Sequence, residues 1–110
     1  MAYDEDLADR IRAEVAGEKN LTEMKMFGGL AFLIGGHMAV AASGQGGLML
    51  RCDPEQTETL LAEPGAREFE MRGKGMAGWL RVDADAVEDD DALATWVGRG
   101  AAYARSLPPK

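Results

Sequence analysis

Apolar residues recur at two spacings along the chain, and the change from one to the other divides it into elements. From Asp4 to Val15, Leu7, Ile11 and Val15 stand four residues apart with charged residues between them, the signature of a helix with one buried stripe. Gly17 and Asn20 close that segment, since both residue types tolerate the backbone that ends helices. The period then falls to two. "EMKMF" (23–27) alternates Met24 and Met26 with charged neighbours, and "LAFLI" (30–34), "MAVAA" (38–42) and "LMLRC" (48–52) follow as short apolar runs separated by glycine pairs. Gly35 and Gly36 suit a tight hairpin between Ile34 and Met38, and "SGQGG" (43–47) suits a longer one, so this region reads as an antiparallel meander. The pair Gly28–Gly29 fits either a full reversal or a bulge.

Asp53 followed by Pro54 marks a helix start, with the carboxylate as cap, proline at the first helical position and Gln56 placed to complete a capping box. Leu60 and Leu61 supply its buried face and "EPG" (63–65) ends it. "REFEMR" (67–72) then directs Phe69 and Met71 inward, "GKGMAG" (73–78) turns, and "WLRVD" (79–83) puts Trp79, Arg81 and Asp83 on one face and Leu80 and Val82 on the other. The last helix opens on the acids of "EDDD" (88–91), which favour the positive end of the helix dipole. Leu93, Trp96, Val97, Gly100 and Ala104 form its inner stripe, and Pro108 stops it. The order is helix, three or four strands, helix, two strands, helix. It predicts an α+β two-layer domain over residues 1–110, an antiparallel sheet of about five strands covered by helices.

Composition narrows the class. At 110 residues, 46% of them hydrophobic, the chain suits one compact domain. Its most apolar stretch, "LAFLIGGHMAVAA", is broken by Gly35, Gly36 and His37, which excludes a spanning helix of about 20 residues. The acidic start "MAYDEDLADR" is the opposite of a secretory signal, and the single cysteine, Cys52, leaves no internal disulfide. A cytoplasmic location is expected. The net charge of −7 argues against direct nucleic-acid binding, which is driven by Lys and Arg releasing counterions from phosphates. Residues 4–20 carry six acids and three bases, and residues 83–91 six acids and no base. The segment 67–82 is the net-basic exception, with Arg67, Arg72, Lys74 and Arg81 against Glu68 and Glu70. An anionic ligand or acidic partner would meet the chain there, at a candidate site of Arg51, Arg72, Lys74 and Arg81.

"GKGMAG" is a literal GxGxxG inside that segment. A dinucleotide fingerprint needs a helix after it, and here a strand follows. A phosphate loop needs Ser or Thr after GK, where Gly75 stands. The stretch therefore reads as a hairpin loop. His37 and Cys52 are each the only residue of their type, too few for a metal site without carboxylates at diagnostic spacing. His37 is expected as a polar hairpin residue, and Cys52 as a small buried hydrophobe, although its place before a helix start would also stabilise a thiolate. Neither Ser43 nor Ser106 sits in a nucleophile pattern. Asp89–Asp91 point in different directions on a helix and suit capping. Of the seven methionines, most should fill the core, with an adaptable partner groove as the other use. No catalytic set, metal or cofactor is expected.

"MKMFGGLAFLIGGHMAVAASGQGGLMLRCD", "FEMRGKGMAGWLRVD" and the terminal "LATWVGRGAAYARSLPP" together resemble the N-terminal domain of the TfoX/Sxy family, named after regulators of natural competence. "MFGG" at Met26–Gly29 is the most specific piece, supported by "GWLRV" and the closing helix. The resemblance implies a two-layer α+β domain. Family members act with the cyclic-AMP receptor protein at promoters and carry a second, C-terminal domain, which has no counterpart before Lys110. A stand-alone N-terminal domain is therefore expected. The family supplies no catalytic residues to place on this chain.

These readings converge on a non-catalytic interaction module, a regulatory accessory factor that works through a protein partner, with no direct nucleic-acid or membrane contact. The alternative is a protein binding a small anionic ligand, or a small enzyme, with a pocket between the sheet and the last helix contacted by Arg51, Arg72, Lys74, Trp79 or Trp96. An edge strand near "EMKMF" or "REFEMR" is available to pair across a two-fold axis into a homodimer.

Overall fold

The computed structural model describes residues 3–26, 28–71 and 73–109. Among these the chain forms, in order, α1 (Glu5–Glu14), β1 (Leu21–Met26), β2 (Gly29–Ile34), β3 (His37–Ala42), β4 (Leu48–Arg51), a 3-10 turn (Pro54–Gln56), α2 (Thr57–Leu61), β5 (Ala66–Met71), β6 (Lys74–Val82), a second 3-10 turn (Ala84–Val87) and α3 (Asp90–Ser106). The α+β order matches the pattern of apolar spacings. Helix starts fall where short acids precede apolar stripes. Asp4 accepts from the amides of Asp6 and Leu7 at 3.0 and 3.2 Å, and Asp89 accepts from Ala92 at 3.0 Å, each satisfying amides that the first helical turn leaves free. The helix expected from Asp53 is split. Asp53 accepts from Glu55 at 2.9 Å, a 3-10 turn follows, and Gln56 contributes no side-chain cap to α2.

One antiparallel sheet of six strands runs β1-β2-β3-β4-β6-β5. Met26 pairs with Gly29, so the first glycine pair belongs to a full chain reversal. Gly35 and Gly36 have φ of 62° and 86° and join Ile34 to its partner His37, the geometry of a two-residue hairpin. The chain then crosses over: α2 carries it past β6, and β5 becomes the far edge. Strand β6 begins at Lys74, and Met71 pairs with Lys74. "GKGMAG" is therefore mostly strand, and of the hairpin loop predicted over 73–78 only Gly73 precedes β6. The tight pairing leaves room for a glycine-rich strand because the register shifts between Glu68 and Glu70, a bulge that absorbs the extra length.

Gly78 ends that irregular stretch at φ 87°, with its amide donating to Thr57 Oγ1 at 2.8 Å and its carbonyl accepting from Cys52 at 2.8 Å. Thr57 Oγ1 in turn donates to the Pro54 carbonyl at 2.9 Å. One buried hydroxyl thus ties the 3-10 turn to β6, and the Cys52–Gly78 backbone bond joins that node to the end of β4.

All three helices lie on one face. Leu7, Ile11 and Val15, Leu60, and Leu93, Trp96 and Val97 bury against Leu30, Phe32, Val40, Leu48, Leu50, Leu80 and Val82 of the sheet. Arg10 on α1 donates to the carbonyls of Val87 and Glu88 at 2.8 and 3.1 Å, locking α1 to the turn before α3. Helix α3 sits so close to β3 that a Cβ on Gly100 would collide with the Ala39 carbonyl oxygen.

Two substitutions on α3 test that packing by denaturant unfolding. Gly100→Ala forces the helix off β3 and costs about 1–3 kcal/mol. Gly98→Ala, two residues away with open space around it, gains about 0.5–1 kcal/mol from helix propensity. Thr57→Val keeps the shape but strands the buried Gly78 amide, a loss of about 1–3 kcal/mol in the same measurement.

Candidate interaction groove on the open face of the sheet

Strand alternation sends every second side chain away from the helices. On that opposite face Ala31, Leu33, Met38, Ala41 and Met49 form a second buried apolar cluster, flanked by Met26, Phe69 and Trp79. Phe69, expected to face the helices, turns here instead and stacks obliquely on Trp79 with ring centres 6.1 Å apart, within the range of favourable aromatic pairs. Strand β2 shows why such a second cluster exists: all six of its residues are buried. Both of its faces are apolar.

A groove of about 600 Å³ runs over this cluster. Met26 of β1 and Phe69 of β5 both line it, although those are the two edge strands of the sheet. The sheet is therefore curled, with its concave side away from the helices. Ala41, Met49 and Phe69 form the apolar floor, and Ser43, Gln45, Arg67 and Arg81 one polar end. Glu68 and Glu70 also line the groove, toward the other end: Glu70 pairs with Gly75, and the Glu68 carboxylate lies against Gly75, six residues along β6 from Arg81.

Arg67 and Arg81 are direct cross-strand partners. Like charges placed opposite each other on a strand pair are destabilising, so this pair requires compensation. Arg67 donates through Nε to Asp83 Oδ1 at 2.6 Å, and Arg81 donates to Gln45 Oε1 at 2.7 Å. The Arg67 hydrogen bond, joined by the charges of Arg67 and Arg81, holds the Asp83 carboxyl below its ordinary range. Two guanidiniums and one carboxylate leave one net positive charge at that end.

Of the sequence candidates, Arg81 lines the groove. Arg51 lies on the neighbouring strand β4 opposite Trp79, with its guanidinium 5.4 Å from the Trp79 ring centre and 5.6 Å from that of Tyr103, at cation–π distance from both. Lys74 is placed by its backbone alone, at the start of β6, and Arg72 lies outside the described residues. The structure thus brings Arg81 together with Arg67, Gln45, Met26, Met49 and Phe69. Arg67 belongs to the same net-basic segment as Arg81, but only the cross-strand register sets the two face to face, and Gln45 reaches Arg81 from the β3–β4 loop through a hydrogen bond that no sequence spacing marks. Around Trp96 the space between the sheet and α3, expected to hold a pocket, is filled: Trp96 is 4% exposed and belongs to the core, with Arg99 stacked on its ring at 4.6 Å. A smaller cleft of about 320 Å³ lies between the end of β2 at Ile34 and the C-terminal end of α3 at Ala104 and Arg105, and Arg51, Trp79 and Trp96 do not line it.

The remaining candidates are structural. Cys52 is 2% exposed, and burial raises its thiol above the ordinary range despite a contact with Thr57, which disfavours the thiolate. His37 donates from Nε2 to the Pro108 carbonyl at 2.6 Å, pinning the chain after α3 to the β2–β3 hairpin. Among the described residues no cluster of His, Cys, Asp or Glu could hold a metal ion, and no helix is long and apolar enough to cross a membrane.

The fold and groove define a class: an α+β domain whose helices cover one face of a curled antiparallel sheet and leave a methionine-lined concave face on the other. Residues 13–104 match the TfoX N-terminal domain, and the chain belongs to that family. No curated protein and no solved structure matches it.

The Arg67–Asp83 pair gives an acid-stability prediction. Because the folded-state carboxyl of Asp83 titrates below its unfolded value, the pair stabilises the fold above the ordinary aspartate range and is lost as pH falls through the lowered value. Glu23, held low by hydrogen bonds from Arg12, acts in the same direction. The urea midpoint of the native chain is expected to fall between about pH 5 and pH 2. In Arg12→Gln/Arg67→Gln the midpoint starts lower at neutral pH, falls less steeply, and meets the native curve in acid.

Proposed function

We propose that this chain is a non-catalytic interaction module that receives a segment of a protein partner on the concave face of its sheet. The segment is one that presents a large apolar side chain beside a carboxylate. A single observation carries this reading: an apolar, methionine-lined groove ends at two facing arginines in a chain of net charge −7. Methionine side chains are unbranched and polarisable, so such a floor adapts to different apolar shapes. The Arg67–Arg81 pair favours a carboxylate with fork-like geometry, and selects against partners that bring a cation there. A regulatory accessory role, in keeping with a family named after competence regulators, follows if the partner is part of a transcription complex. The partner would then make the DNA contacts, because the acidic chain is poorly suited to them.

A peptide library displayed against the immobilised full chain tests this. Enriched peptides are expected to carry Asp or Glu next to Leu, Met, Phe or Trp. They should bind Arg81→Gln and Phe69→Ala about tenfold or more weakly, a loss of ~1.4 kcal/mol or more, while both variants, Phe69→Ala at a lower midpoint, remain cooperatively folded at the assay temperature. Peptides that bind those variants as well as the native chain would sink the proposal. Saturable thermal stabilisation by octanoate, abolished in Arg81→Gln, with no peptide enrichment, would favour a small amphipathic carboxylate as the occupant instead.

A further inference from the structure

We propose that β1 is a dimerisation edge, through which two copies of this chain pair antiparallel about a two-fold axis at Met24 and join their sheets into one. This goes beyond the groove reading and does not depend on it.

The first support is which backbone groups face outward. The Asn20 carbonyl accepts from the Gly35 amide at 3.1 Å. In an antiparallel ladder bonding alternates from residue to residue, so Thr22, Met24 and Met26 also direct their amides and carbonyls to β2. Leu21, Glu23 and Lys25 direct theirs to the open edge. That edge is regular. Strand β1 pairs with β2 at all six of its positions without a shift, whereas the opposite edge, β5, is interrupted at Glu68–Glu70. An unbulged edge with free donors and acceptors is a template for another strand.

The second support is charge, which selects one register. An axis through Glu23 would set glutamate against glutamate, and an axis through Lys25 lysine against lysine. An axis through Met24 sets each Glu23 opposite Lys25 of the second copy, twice by symmetry. These two pairs are also the hydrogen-bonded ones, giving four backbone bonds. In one copy Arg12 holds both Glu23 oxygens at 2.7 and 2.9 Å and also pairs with Asp9, so the group carries one net negative charge. Lys25 makes no ion pair among the described residues. Lys25 of the second copy would neutralise that group.

The third support is Met24. It is 51% exposed, the most exposed large hydrophobic among the described residues. At the axis it meets Met24 of the second copy in a non-hydrogen-bonded pair, the geometry in which facing side chains come closest. A six-residue strand pair buries less than the roughly 1,200–2,000 Å² of a stable interface, so the dimer is weak and concentration-dependent.

Sedimentation equilibrium over a concentration series, combined with hydrogen exchange of β1 amides, tests this. The expected result is a mass rising from one chain to two, with the Glu23 and Lys25 amides gaining protection over the same range. Lys25→Glu sets like charges at both pairs and should raise the dimer Kd by about tenfold. Lys25→Pro removes an outward amide that β2 does not use, and should abolish the dimer while the monomer keeps its fold. A mass of one chain up to millimolar concentration would overturn the proposal. So would a dimer whose Glu23 and Lys25 amides stay unprotected, or one that Lys25→Glu leaves unchanged.

Discussion

Helix α3 meets β3 with only a hydrogen atom to spare at Gly100, against the carbonyl of Ala39. That contact decides which face of the sheet is sealed. It seats Leu93, Trp96 and Val97 over the middle strands and brings Ala101 and Ala104 onto Ile34 and Ala39. Helix α1 then fills the remaining space and is locked through Arg10 to the turn that precedes α3. Once this side is packed to the density of a protein interior, no helix remains to cover the other. The apolar residues that alternate to that other side must be sheltered by the sheet itself, and its curl does so: Ala31 and Ala41 are buried there with no helix above them.

The curl also makes the groove. Flat, the sheet would hold β1 and β5 five strand spacings apart, about 24 Å. Curled, it brings Met26 and Phe69 to the walls of one cleft. The β5–β6 register sets Arg67 beside Arg81, with Asp83 and Gln45 as their partners. An arrangement of two like charges over an apolar floor costs stability unless it is compensated. Here the compensation is partial, with one carboxylate for two guanidiniums. The open face is thus apolar, adaptable in shape and unbalanced in charge at one end, a combination suited to binding.

The glycine-rich stretch "GKGMAG" shows how context changes a motif. By spacing alone it matches a phosphate-binding fingerprint, and by its neighbours it reads as a loop. In the folded chain it is a bulged strand. Gly75 leaves space for the Glu68 side chain, and Gly78 takes a left-handed conformation that lets its amide reach Thr57. Its glycines therefore serve strand pairing and a buried hydrogen-bond node, and the Gly78 amide is already taken by Thr57.

Local chemistry was legible in the sequence because local rules govern it. The caps at Asp53 and Asp89, the stripe of α3, the hairpin at Gly35–Gly36 and the alternation of "WLRVD" each depend on residues within a few positions of one another. They were enough to give the α+β order. The candidate site was legible only in part: Arg67 and Arg81 were named from the basic segment, while strand pairing sets them face to face, a hydrogen bond brings in Gln45 from a loop, and the bulge in β5 turns Phe69 to the same side. Tertiary structure alone decided that β4 pairs with β6, that β5 lies at the edge, and that Phe69 faces away from the helices. The physical reason lies in strands such as "LAFLI", apolar on both faces. They carry no alternation that marks an inside, and the inside exists only once α3 has docked on one of the two.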